Sequence, residues 1–93
     1  MAIRSFHCAD TEAIYAGKHP RQFRNIEGVA QRKLQMLDSA VELMDLRVPP
    51  GNRLEALSGN RRGQHSIRIN GQWRICFVWT VSGPEHVEIV DYH

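Results

Sequence analysis

Gln64-His65-Ser66-Ile67-Arg68-Ile69, then Asn70-Gly71-Gln72, then Trp73-Arg74-Ile75-Cys76-Phe77-Val78-Trp79-Thr80 is the stretch that decides the fold. Two alternating, β-branched and aromatic runs flank an Asn-Gly pair, which is a hairpin signal. Cross-strand partners share a sheet face, so the length of the turn fixes which side chains meet. A two-residue turn would set Ile67 against Arg74 and scatter the apolar set. An odd loop, three residues with Gly71 in a bulge, keeps Ile67, Trp73, Ile75 and Phe77 together on one face. Ser66, Arg68, Arg74 and Cys76 then occupy the other, uncovered face, with Arg68 and Arg74 opposite or diagonal to one another. Like charges so placed are unfavourable without an anion between them. Either Glu88 on the next strand neutralises them or they clamp a phosphate.

Downstream, Ser82-Gly83-Pro84 turns the chain and His86–Val90 forms a last strand. Upstream, Ser58-Gly59-Asn60-Arg61-Arg62-Gly63 reads as a basic, flexible loop. Leu54 and Leu57 suggest a helical turn after Pro49-Pro50-Gly51-Asn52. Before them, Ile26, Ala30, Leu34, Leu37, Val41 and Met44 recur every three or four residues. That spacing predicts an amphipathic helix from about Ile26 to Met44, with Asn25 as its cap and Asp38 facing water. Asp10-Thr11-Glu12 starts a shorter helix that Gly17 and Pro20 curtail. Ile3–Phe6 suggests a short first strand. The expected order is βααβββ, an α+β fold with helices packed on one face of a small antiparallel sheet.

The chain of 93 residues fits a single domain, 1–93, too short for a cleft between two domains. No run reaches the roughly 18–20 apolar residues of a membrane helix. Arg4 interrupts the N-terminus before any apolar core of a signal peptide can form. Cys8 and Cys76 fit neither a disulfide scaffold nor a zinc site, and two free thiols suit a reducing compartment. The expectation is a cytoplasmic protein with no membrane contact, no metal and no cofactor.

The net charge of +2 conceals a segregation. Residues 1–46 balance six basic against six acidic side chains. Residues 47–74 carry Arg47, Arg53, Arg61, Arg62, Arg68 and Arg74 against Glu55 alone, for +5, and residues 75–93 sum to −3. Arg predominates, and its planar fork matches phosphate. This points to a polyanion-binding face, most often for nucleic acid.

The chain ends Val90-Asp91-Tyr92-His93. Histidine titrates near neutrality, Asp91 could orient it, and Tyr92 offers a hydroxyl or a stacking ring. His65 opens the strand that carries Arg68. An imidazole beside two arginines suits RNA cleavage by the neighbouring ribose 2′-hydroxyl. That reaction needs a base, an acid and donors for the charged phosphorane.

Pro50-Gly51-Asn52-Arg53-Leu54-Glu55-Ala56-Leu57-Ser58-Gly59, Gly63-Gln64-His65-Ser66-Ile67-Arg68-Ile69-Asn70, Trp73-Arg74-Ile75-Cys76-Phe77 and Val90-Asp91-Tyr92-His93 together resemble the HigB toxins of the RelE superfamily, from bacterial toxin–antitoxin systems. The likeness extends to Arg32-Lys33-Leu34 and Met36-Leu37-Asp38. It implies a ribosome-dependent endoribonuclease that cuts mRNA in the A site without a metal. The family's catalytic positions fall on His65, Asp91, Tyr92 and His93, with Arg68 and Arg74 as basic support and Arg61 and Arg62 beside them. It implies a HigA-like helix-turn-helix antitoxin as partner, the ribosome and mRNA as targets, and operator DNA reached only through the antitoxin. Many RelE-like relatives use lysines in the site, whereas neither Lys18 nor Lys33 lies near the motifs of residues 50–93 in sequence. A different reading is a non-catalytic RNA- or ribosome-binding module, and a third is an interaction subunit working through its helical face.

Overall fold

The computed structural model describes residues 1–91, and Tyr92 and His93 lie outside the described residues. Helices α1 (Ala9–Tyr15) and α2 (Glu27–Ser39) precede strands β1 (Glu55–Ala56), β2 (His65–Arg68), β3 (Trp73–Thr80) and β4 (Gly83–Asp91). The strands form one antiparallel sheet in chain order. One face of that sheet packs against the helices, which is the α+β arrangement the sequence pattern calls for.

The hairpin register pairs Ile67 with Ile75 and Arg68 with Arg74, so the odd loop is correct. Its closure differs from expectation. Gly71 is not in the left-handed conformation of a glycine bulge. Instead the Asn70 Oδ1 accepts the N–H groups of Gln72 and Trp73, each at 2.8 Å, an Asx turn that fixes the loop. Ile67, Ile69, Ile75 and Phe77 thereby join Ala30, Leu34 and Leu37 of α2 in the core, and Phe23 meets the Trp73 ring edge-on at 5.4 Å.

Helix α1 ends in a Schellman motif. Gly17 takes φ +86°, its N–H donates to Ile14 O, and Lys18 N–H donates to Ala13 O. Helix α2 stops at Ser39, short of Met44. Ala40 turns extended, and Val41 and Met44 are exposed rather than core. The cause is Asp45, whose Oδ2 accepts the N–H groups of Val41 and Glu42 at 3.0 Å and caps a separate 3₁₀ turn, Leu43–Arg47. Such local side chain–backbone bonds compete with helix continuation. Asp38 does not face water alone: it accepts the Ile3 N–H and the Tyr15 hydroxyl, which together tie the N-terminus to both helices.

The N–H groups of Glu42 and Val41 hold the Asp45 carboxyl below its usual range. A lowered folded pKa gives a stabilisation that is present above the unfolded carboxyl value of about 3.9 and fades as pH falls through the folded value. Asp45→Asn should therefore melt below wild type at neutral pH and converge with it in acid. A constant gap from neutral pH to well below the ordinary carboxyl value would contradict this capping role.

Two further expectations are corrected. Ile3–Phe6 is not a strand. It runs parallel beside β4 through one bridge, Phe6 with Val87, flanked by bonds from Arg4 N–H to Pro84 O and Val87 N–H to Ser5 O. The register between β3 and β4 shifts between Cys76 and Val78, and His86 takes φ +53° there, so the edge of β4 is too kinked for a longer ladder. After Asn52 there is no helical turn with Leu54 and Leu57. Arg53 adopts a left-handed conformation, and Glu55–Ala56 becomes the edge strand β1.

Candidate nucleic-acid interface

Strand alternation sends a second set of side chains to the sheet face away from the helices. One row crosses all four strands as Glu55, Ser66, Cys76 and Glu88. The adjacent row is Arg68, Arg74 and Val90. Small residues thus floor the centre and charged ones surround it. Ser66 and Cys76 are fully buried because two guanidinium groups lie over this face.

Arg74 is the inner group. Its Nε donates to Ser66 Oγ at 2.7 Å, and its Nη2 donates to Arg53 O at 2.6 Å. Glu55 Oε1 stands 3.8 Å from it, on a carboxylate that is about half exposed. Only 8% of Arg74 is exposed, so the expectation of an open-face side chain with little structural role is corrected. Its parity is as expected, but its fork is used up on the protein. Arg61 is the second group. Its Nη1 donates to Glu88 Oε1 at 2.9 Å and to Gln64 Oε1 at 3.1 Å. Glu88 therefore neutralises Arg61, with His7 at 4.0 Å on its far side, rather than the Arg68–Arg74 pair. Arg68 stands directly opposite Arg74, half-buried, and forms no ion pair among the described residues. Arg62 is exposed beside the 3₁₀ turn Gly59–Arg61. Burial pushes the Cys76 thiol above its usual value, partly offset by Arg61 and Arg74. It is a neutral floor, not a thiolate nucleophile.

His65 does not stand with these arginines. It pairs with Phe77, shares the face of Ile67, and stacks on the Phe77 ring at 6.3 Å. Its Nδ1 is buried without a hydrogen-bond partner among the described residues. Neighbours one and three apart in a strand point oppositely, which the sequence reading overlooked when it grouped His65 with Arg68. Asp91 closes β4 opposite Trp73, exposed, and accepts Gln72 Nε2 at 3.1 Å. It adjoins the Arg74 row at the end of the sheet but alternates to the other side. Tyr92 and His93, the remaining candidates, lie outside the described residues.

The sequence reading missed Lys33. Its Nζ donates to the fully buried Asn52 Oδ1, which places this lysine against the loop that binds Arg74. Nineteen residues separate the two, and no motif spacing announces the contact. Among the described residues, no group of three or more His, Cys, Asp or Glu side chains is placed to hold a metal ion. A cavity of about 70 Å³ between Ile14, Lys18, His19 and Glu27 shares no residue with the sheet face. Among the described residues, no helix is long and apolar enough to cross a membrane.

A family model described as the RelE-like toxin of the type II toxin-antitoxin system HigB matches residues 12–93. Among curated proteins, Toxin HigB-1 of Vibrio cholerae is 53% identical over 55 residues, covering 59% of this chain and 58% of that protein. An uncharacterized protein of Haemophilus influenzae is 36% identical over 63 residues, covering 68% of this chain and 62% of its own length. The chain thus spans less than two thirds of each of these relatives.

Proposed function

The chain belongs to the HigB-like family of RelE-like toxins from type II toxin–antitoxin systems, and from that premise we propose that it is an endoribonuclease that cuts mRNA in the A site of the ribosome. The observation that carries this reading is Arg68: a half-buried arginine set directly opposite the anchored Arg74, in a row whose third member is the apolar Val90. A phosphodiester laid over that row relieves the repulsion between like charges and meets the fork geometry of Arg68.

In the proposed reaction the ribose 2′-oxygen attacks the adjacent phosphorus and the 5′-oxygen leaves. The products are a 2′,3′-cyclic phosphate and a free 5′-hydroxyl. A base takes the 2′ proton and an acid supplies one to the 5′-oxygen. Asp91, Tyr92 and His93 are proposed for this work from the family pattern, with His65 as the fourth candidate. His65 would have to act through Nε2 from the start of β2, because its Nδ1 is enclosed. Arg68 stabilises the phosphorane, Arg74 holds the row in place, Arg62 extends the positive surface, and Arg61, paired with Glu88, borders it. No step calls for a metal. A HigA-like antitoxin would restrain the activity by covering the basic face or blocking access to the ribosome, and would carry any contact with operator DNA.

The test is cleavage of a defined mRNA with and without ribosomes. The expected result is a cut within the A-site codon, a 2′,3′-cyclic phosphate end, and no cut without ribosomes. Tight binding with intact RNA would instead favour the non-catalytic module. A separate measurement addresses the electrostatics. Each phosphate neutralised on a single strand contributes a slope of about −0.7 in log K against log salt, so two contacts from Arg62 and Arg68 give roughly −1.4. A flat dependence would remove the basic face from the account.

A further inference from the structure

We propose that Gln72 is a positioning residue for the cleavage reaction: its carboxamide holds the Asp91 carboxylate at the hairpin end of the sheet, where the Arg68 guanidinium also arrives. This rests on the reading of the chain as a nuclease and of Asp91 as one of its working groups. It adds a residue from the gap between the family motifs, which stop at Asn70 and resume at Trp73.

The loop that carries Gln72 is rigid. Ile69 N–H and Asn70 N–H both donate to Trp73 O, at 2.9 and 3.2 Å, so Asn70-Gly71-Gln72 alone turn the chain. The Asn70 Oδ1 then accepts the N–H groups of Gln72 and Trp73. The backbone of Gln72 is thereby held from within the turn, and its side chain projects from a fixed origin.

Two groups that strand alternation sends to opposite faces meet at this loop. Asp91 stands opposite Trp73 on β4, and its Oδ2 accepts Gln72 Nε2 at 3.1 Å across 19 residues of sequence. From the arginine face, Arg68 reaches the preceding residue: a Cβ placed on Gly71 would stand 3.9 Å from Arg68 Nη2. Adjacent residues of one loop therefore lie beside the guanidinium and the carboxylate. The end of the sheet, not its face, is where these two groups come together.

Gln72 and Asp91 are both exposed, so their bond contributes little to stability. Its consequence is orientation. A carboxylate with one oxygen tied to a rigid loop keeps the other in a fixed direction, and a neutral amide does this without competing as a cation for the RNA phosphate. Position without stability is what a group that orients a reactive neighbour supplies.

The experiment is the single-turnover rate at saturating protein on ribosome-bound mRNA, with ribosome affinity and the thermal melt measured beside it. Wild type is compared with Gln72→Ala, Gln72→Lys, Gln72→Glu and Asp91→Ala. Gln72→Ala should slow cutting by about 10–10²-fold, the scale of a small misplacement of a reacting group. Its affinity and melt should be unchanged, because the turn uses only the backbone of Gln72. Gln72→Lys keeps an N–H donor of similar reach and should cut at close to the wild-type rate. Gln72→Glu sets a like charge against Asp91 and should be the slowest of the three. If wild type cuts and Gln72→Ala or Asp91→Ala cuts equally fast, the inference is wrong and the nuclease stands. The same holds if Gln72→Lys is as slow as Gln72→Ala, since the donor is then not what acts. A loss seen only as weaker ribosome binding would make Gln72 an RNA contact and would also overturn it. If wild type leaves the mRNA intact, the nuclease reading itself falls and takes this inference with it.

Discussion

Arg74→Ala should unfold well below the wild type, and this should be evident before any nuclease assay is attempted. The substitution removes two charge-assisted donors from buried or half-enclosed acceptors, Ser66 Oγ and Arg53 O. Hydrogen bonds to a charged group contribute about 1.5–3 kcal/mol each, so their joint loss costs roughly 3–6 kcal/mol. For a chain of this size about 1 kcal/mol corresponds to 4–8 °C, and the melt should fall by at least roughly 12 °C. Glu55 adds little, since an ion pair at 3.8 Å with a half-exposed carboxylate is weak in water. Ser66→Ala breaks only one of these bonds and should cost less than half as much. The double variant should lose little beyond Arg74→Ala alone, because the two residues share an interaction. Thermal melts of the three variants check this. If Arg74→Ala melts like wild type, the guanidinium is not an anchor and belongs with the solvent-facing arginines.

That expectation reverses what parity alone suggests, and the reversal shows where the sequence is legible. Alternation in residues 64–80, together with the odd loop, places Ile67, Ile75 and Phe77 on one side and Arg68 and Arg74 on the other. Strand period is a local property and can be read directly from the residues. Whether the polar side is open is not local. It depends on Arg53 folding back to offer its carbonyl, and that requires a left-handed backbone which no periodicity reveals. The same holds for α2. Its apolar spacing runs on through Met44, but one carboxylate, Asp45, captures two amides and ends the helix early. His65 was misplaced for a simpler reason: it is near Arg68 in sequence, yet three positions along a strand means the opposite face. The bond from Lys33 to Asn52 is not legible either, because Asn52 reads as a turn residue and acts as a buried hub.

The position whose loss should separate catalysis from folding is therefore Arg68, not Arg74. Arg68 is opposite Arg74 but forms no ion pair among the described residues, and its removal leaves no buried acceptor of the sheet face unsatisfied. Arg68→Ala also relieves like-charge repulsion, so its melting temperature should be unchanged or slightly higher. Ribosome-dependent cleavage should fall by about 10²–10³-fold, the loss seen when one donor to a developing charge is removed. His93→Ala should lower cleavage by about 10²–10⁴-fold if it supplies a proton-transfer group, as the family pattern proposes. His86→Ala on β4 is the control: it is exposed, outside the arginine row, and should cut normally. The measurement is the single-turnover rate on ribosome-bound mRNA for each variant, beside its melt. A loss confined to His93→Ala would keep the nuclease and remove Arg68 from the transition state. A loss confined to Arg68→Ala would keep the charged row and send the search for the acid and base to Asp91 and His65. Normal cutting by both variants, with normal melts, would mean that the polar face binds RNA and the chemistry happens elsewhere.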